Sequence, residues 1–306
     1  MKRKIIKQGN GSYIFTLPID WIRENNLQAG DEIVASQRDK ALVLRHDGGK
    51  TDKVVEIKIN TPNLNLIKHR ILSSYLSGAA EVNLHLNFNT LKDRNNKQVD
   101  INQFVREYAN SLHSFSVVEQ KDNHFKIIEV SASSNNGFDS MLQQAFNSLL
   151  LMGEQSLEAL KEGNKKEIED LDFKRRDVKR FTDYCIRLLN KMEYKEHKKT
   201  ASIYLIVKCI EKIAETYKHI AIHFKNNNDK NIIQLHEDIN SMIRLNIAVY
   251  NKFDEKKVEE YFGIRDRIYV NIYKAGSRKT DSGLLENIEQ LRRLSTSLMN
   301  ELMVVQ

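Results

Sequence analysis

Residues 2–45 read KRKIIKQGNGSYIFTLPIDWIRENNLQAGDEIVASQRDKALVLR. Four cations, Lys2, Arg3, Lys4 and Lys7, come before the first acidic residue, Asp20. Polar and apolar residues then alternate through Ser12, Tyr13, Ile14, Phe15, Thr16 and Leu17, which predicts a half-buried strand. Between the basic run and that strand, Gly9-Asn10-Gly11 tolerates positive φ and predicts a turn. Pro18 suits the first turn of a short helix through Trp21, Ile22 and Asn25. Ala29-Gly30-Asp31 turns the chain into Glu32–Ala35, and Arg38-Asp39-Lys40 turns it again into Ala41–Leu44. The expected order is β-β-α-β-β. A unit this small leaves too much of its surface wet to bury a core alone, so it calls for a partner.

The order of these elements, the basic first strand, the Gly-Asn-Gly turn, the Leu17-Pro18 helix start and the Ala-Gly-Asp turn resemble the AbrB/MazE/SpoVT family. The resemblance covers nearly all of residues 2–46. It implies two copies interlocked as a swapped-hairpin β-barrel dimer that binds DNA. Lys2, Arg3, Lys4 and Lys7 would then touch phosphates or groove edges, with Arg23, Arg38 and Arg45 as further candidates. No helix-turn-helix recognition helix is evident, so contacts from strands and loops are expected. The other reading of the basic run is a frayed, solvated terminus.

Charge is distributed to match. Of the formal +7 over 306 residues, residues 1–50 hold nine Lys and Arg against six Asp and Glu, with the surplus placed before Asp20. A concentrated surplus marks an acidic partner such as nucleic acid or an anionic membrane. Cys185 and Cys209 have no paired spacing, which excludes a disulfide framework or a zinc knuckle and fits a reducing cytosol. No apolar run approaches about 18 residues, so no membrane insertion is expected and the location expected is cytoplasmic. Pro18 and Pro62 are the only prolines, leaving everything beyond free to be helical.

After the linker-like Asp47-Gly48-Gly49-Lys50, Val54–Ile59 predicts a strand. A helix follows with Leu66, Ile67, Arg70, Ile71, Ser74 and Tyr75 at helical spacing, closed by Gly78. Glu81–Leu86 alternates as a second strand. Asp100 can cap a helix from Ile101 to Leu112. Phe115–Glu119 and Phe125–Val130 are two further strands. This β-α-β-α-β-β order, over 51–131, describes a small α/β sandwich. His69, His85, His113 and His124 are scattered through it and suggest surface or packing roles.

Ser131–Gly137 has the composition of a linker. Six helices are expected beyond it. Their apolar stripes divide into two three-helix units, about 138–225 and 230–306, so 137–306 is a helical domain. The chain as a whole is therefore multidomain α+β, with domains at 1–47, 51–131 and 137–306. On the third of these helices Glu211, Glu215, His219 and His223 recur every four residues, in one row. Carboxylate-imidazole rows on bundle helices can ligate iron, zinc or manganese, with help from facing helices. Such a row can also be a solvated charged face, since Lys208, Lys212 and Lys218 lie nearby.

Ile206–Ala221, centred on Ile210-Glu211-Lys212-Ile213-Ala214-Glu215, resembles the signature helix of the PhoU phosphate-regulator family. Val178-Lys179-Arg180-Phe181 and Ile186-Arg187-Leu188-Leu189-Asn190 agree with it, as does the doubled three-helix unit. The chain as a whole looks like archaeal PhoU-like proteins that begin with an AbrB-type module. That family's second-helix carboxylates would fall near Arg175 and Lys179, both basic here. The second repeat offers Glu289 and Arg293, which cannot share a cation. What the resemblance leaves is a reduced site for one divalent or iron-type ion.

Together these features predict a homodimeric, DNA-binding regulator of phosphate uptake whose helical half senses or relays a signal. The alternative is an adaptor that restrains a phosphate transporter or sensor kinase by protein contact. An antitoxin is a further reading. No activated nucleophile, phosphate-cradling loop or paired acid and base points to an enzyme.

Overall fold

The computed structural model describes residues 2–9, 11–38, 41–46, 53–130, 137–162, 165–192, 194–223, 230–276 and 282–306. The linker-like stretches 47–50 and 131–136 and the helix break at 226–229 lie outside them. The chain divides into two units, Met1–Asp52 and Lys53–Gln306.

The first unit follows the β-β-α-β-β order. Strands β1 (Ile6–Gln8) and β2 (Ser12–Ile14) form an antiparallel hairpin with Ile6 opposite Ile14 and Lys7 opposite Tyr13. Gly9 and Gly11 flank its turn at φ +66 and +106. Helix α1 (Ile19–Glu24) starts behind Pro18, and β3 (Ile33–Arg38) pairs antiparallel with β4 (Ala41–His46). The described residues of one chain make two separate two-stranded sheets and close no barrel. The physical reason is that each hairpin leaves its outer edge without a neighbouring strand to pair with.

The second unit opens with β5 (Val54–Ile59), α2 (Leu64–Leu76) and β6 (Glu81–Leu86). Then come the short strands β7 (Leu91–Lys92) and β8 (Gln98–Val99), α3 (Ile101–Ser111), β9 (Phe115–Lys121) and β10 (His124–Glu129). The main sheet has the order β5-β6-β10-β9, parallel between β5 and β6 and antiparallel elsewhere. Caps set both helices: Asn63 accepts from the Leu66 amide, and Asp100 accepts from the Asn102 and Gln103 amides. The β7–β8 hairpin is an addition to the expected order. Strands of two residues leave no alternation to read, and the turn is held by Asp93 accepting from the Asn95 and Lys97 amides.

One sheet face supplies Ile57, Ile59, Val82, Leu84, Phe125 and Ile127 to a core shared with α2 and α3. The opposite face is polar and carries Glu56, Glu81, Asn83, His85, His124 and Lys126. This is the alternation of a sheet packed on one side and wet on the other.

Six helices follow: α4 (Gly137–Glu162), α5 (Lys165–Met192), α6 (Thr200–His223), α7 (Lys230–Asn251), α8 (Glu255–Gly276) and α9 (Ser282–Val304). Helices α4, α5 and α6 pack on one another, as do α7, α8 and α9, and the two groups meet through α4 on α7 and α6 on α9. Among the described residues no helix is long and apolar enough to cross a membrane. Cys185 is buried and Cys209 half-buried, and burial raises both thiols, Cys209 to about 11.

The sandwich and the bundle share one hydrophobic core, and α5 joins them. Fully buried Arg187 donates from Nη1 to the Tyr75 carbonyl (2.7 Å) and from Nη2 to the Ala79 carbonyl (2.8 Å). Its Nη2 also lies 3.0 Å from Glu129 Oε2, and Lys191 bonds the same oxygen. The guanidinium is stacked 4.9 Å from the Tyr75 ring centroid and 4.8 Å from that of Phe115. Asn190 adds a bond to the Leu76 carbonyl at 2.8 Å. Helix α2 thus ends with its last carbonyls capped by α5 side chains, and a cation there also suits the helix dipole. Gly78 is required at the junction: its φ is +83, and a Cβ would sit 3.2 Å from Lys191 Cβ.

Inside the bundle a polar group is buried at the α4–α6–α7 contact. Asn240 donates to the Gly153 carbonyl (2.8 Å) and accepts from the Tyr217 hydroxyl (2.7 Å), and His236 Nε2 meets Ser156 Oγ at 3.1 Å. A Cβ on Gly153 would stand 3.0 Å from Asn240 Oδ1 and from Tyr217, so a larger residue would have to push these side chains aside by a few tenths of an ångström. Burial pushes the His236 imidazole down to about 4, so it is neutral in the fold. Between pH 6.5 and about 4 the unfolded chain therefore carries a proton there that the folded chain lacks, and stability falls on acidification through that window. Urea unfolding from pH 7 to pH 4 should show the parent chain losing about 3 kcal/mol more than a His236→Gln variant. Equal losses would mean that His236 is not held neutral.

Candidate nucleic-acid interface

The first unit leaves many of its apolar side chains in solvent, those of the β1–β2 hairpin above all. Ile5 is 72 % exposed, Tyr13 66 % and Ile6 55 %, and Ile14, Phe15, Ile19, Val34 and Leu42 are exposed as well. Leu27 is the one buried hydrophobic residue of this unit among the described residues. Because cross-strand partners share a face, Ile6 and Ile14 form one apolar pair, and Lys7 stands beside Tyr13 on the other side of the hairpin. Lys2, Arg3 and Lys4 run up to this hairpin and are exposed, as is Lys7 within β1. Arg23 is exposed in the last turn of α1, on a different element. Arg38 ends β3 and Arg45 lies in β4, with side chains outside those described. The first four cations are thus consecutive along the segment that enters the hairpin and its first strand. The other three are spread over the rest of the unit.

The α6 row is organised differently. Glu211 lies 3.1 Å from Lys179 Nζ and bonds Lys208 as well, while Lys179 also reaches Asp183 at 3.1 Å. Burial alone would raise the Glu211 carboxyl, but Lys179 and then Lys208 outweigh it and hold it below its usual value. Glu215 is 3.9 Å from Lys212, and His219 is exposed. The side chain of His223 lies outside those described.

Arg175, at the other position where the resemblance places a carboxylate, binds Asp172 at 3.2 Å. Lys218 (2.6 Å) and Arg176 (2.7 Å) bind Asp172 too. Burial opposes ionisation of Asp172, yet these three cations hold its carboxyl at about 2. In the second group Glu289 is held by Arg292 and Arg293, each at 2.7 Å. Basic side chains thus neutralise Glu211, Asp172 and Glu289. Among the described residues no three His, Cys, Asp or Glu converge as metal ligands.

Residues 6–52 match the family model described as antidote-toxin recognition MazE, bacterial antitoxin. The match takes in the exposed apolar hairpin and the rest of the first unit but not Lys2, Arg3 or Lys4, and over these residues the chain is similar to a MazE-type domain. No curated protein and no solved structure matches the chain.

The residues that the sequence did not single out are Arg187 as an anchor and the pair His85 and His124. Strands β6 and β10 bring those two imidazoles to 2.9 Å across 39 residues of chain. The sequence shows each as one histidine in an alternating strand, and only the strand order makes them neighbours.

Proposed function

We propose that the chain is a homodimeric DNA-binding regulator. The observation that carries this is the run of four exposed cations, Lys2, Arg3 and Lys4 leading into the β1–β2 hairpin and Lys7 on it, next to apolar side chains that one chain leaves wet. Two copies that interlock their hairpins into a swapped barrel would bury Ile6 and Ile14 and close the sheet edges. Dimerisation also doubles the basic surface offered to a duplex, whose charge attracts it independently of sequence. Sedimentation equilibrium should find a dimer for the parent chain and a monomer for Ile6→Asp combined with Ile14→Asp, with DNA binding lost alongside. A variant that stays dimeric would place the interface elsewhere.

The helical half extends this reading to phosphate. Its two groups of three helices and the resemblance of Ile206–Ala221 to the PhoU signature support a sensor or relay for phosphate uptake. The adaptor function draws on α8, where Tyr269, Val270 and Tyr273 are exposed beside the Arg292–Tyr269 contact and suit protein contact. A pull-down from phosphate-replete cells separates the two. Transporter subunits or a kinase recovered with a chain that does not bind DNA would favour the adaptor. Recovery of a toxin would favour the antitoxin role named by the matching family.

A further inference from the structure

The open face of the β5-β6-β10-β9 sheet carries a chain of polar contacts that no part of the regulator function uses. Glu56 on β5 accepts from Asn83 through Oε1 (2.7 Å) and from His85 Nε2 through Oε2 (3.0 Å). His85 on β6 then turns Nδ1 toward Nδ1 of His124 on β10, 2.9 Å away, the rings edge to face with centroids 4.3 Å apart. Register makes this pairing obligatory, because His124 lies directly opposite His85.

The network fixes the protons. A carboxylate at Nε2 takes the His85 proton there and leaves the Nδ1 lone pair free. His124 must then donate from its own Nδ1. The carboxylate that orients His85 is itself held below its usual value by the hydrogen bonds from Asn83 and then His85. A histidine oriented by a carboxylate on its far nitrogen, with its near nitrogen aimed at a second imidazole nitrogen, has the arrangement of a metal-ligating histidine and its supporting carboxylate.

We infer that His85 and His124 bind a divalent ion of the zinc class between their Nδ1 atoms, with Glu56 as the residue that positions His85. Two imidazole nitrogens on one tetrahedral ion stand about 3.3 Å apart. The pair therefore has to open by about 0.4 Å and each ring has to turn by about 35° so that both lone pairs meet at the ion, which side chains on a wet face can do. On binding, the His124 proton moves from Nδ1 to Nε2, so both ligands are neutral imidazoles. Two coordination positions are left to solvent or to a donor from a partner, since no third protein ligand converges among the described residues. Charge on the face is balanced: Lys126 is taken by Glu81 at 2.9 Å, and Lys58 lies opposite His85 in register.

The test is a zinc chloride titration of the full chain, followed by calorimetry and by imidazole nitrogen spectra assigned through variants. The expected result is one zinc per chain, with the His85 and His124 resonances moving. His124→Gln should lose this binding, and Glu56→Gln should weaken it by about tenfold with the circular dichroism unchanged. His219→Gln combined with His223→Gln, which removes the imidazoles of the α6 row, should leave it intact. Zinc binding equally strong in the His85→Gln, His124→Gln double variant would overturn the site. So would His85 and His124 resonances that stay fixed at saturating zinc.

Discussion

Replacing Arg187 with alanine should destabilise the second unit by about 3–5 kcal/mol, the cost of removing one partner from a buried ion pair. The guanidinium is fully buried and serves the Tyr75 and Ala79 carbonyls and the Glu129 carboxylate at once. Without it the Ala79 carbonyl loses its side-chain donor, the Tyr75 carbonyl keeps only the Gly78 amide, and a cavity opens beside the Tyr75 and Phe115 rings. Arg187→Lys should recover little, because a single ammonium cannot span the two carbonyls and the carboxylate in one plane. At about 2–4 °C per kcal/mol for a domain of this size, the midpoint should fall by roughly 10 °C. Thermal unfolding monitored by circular dichroism checks it. A loss below about 1 kcal/mol would show that α5 does not anchor the sandwich through this residue.

The second large effect is on DNA. Lys4→Glu with Lys7→Glu removes two cations per chain and four per dimer from the basic run that leads into the β1–β2 hairpin. If all four meet phosphates, the salt slope should shrink by about 3.6, and affinity near 0.15 M salt should drop by roughly a thousandfold. Arg23→Glu, on α1 away from the hairpin, should have a smaller effect. Because Lys4 and Lys7 are exposed, the double variant should keep the thermal midpoint of the parent. A variant that binds like the parent would make the run a solvated terminus.

What could be read from the chain beforehand was what is local. The β-β-α-β-β order of the first unit follows from alternation, Gly9 and Gly11, and Pro18. The six long helices follow from apolar periodicity uninterrupted by proline. Asp100 and Gly78 mark helix ends by chemistry confined to a few residues. What stayed hidden depends on pairing across distance. Arg187 is 108 residues from Ala79 and 112 from Tyr75, and in the sequence it is one cation on an amphipathic helix. His85 and His124 became neighbours only through the strand order. The α6 row was legible as a row. Its ammonium partner Lys179 was not, since that contact bridges 32 residues between helices.

Whether the N-terminal segment makes this chain a DNA-reading dimer is decided by fluorescence anisotropy of the full chain across a salt series. Genomic upstream fragments should be compared with random duplex. A DNA-reading dimer should give a log–log slope of about −0.9 per neutralised phosphate and a clear preference for some upstream fragment. Negligible binding at moderate salt by a protein that sediments as a dimer would contradict it.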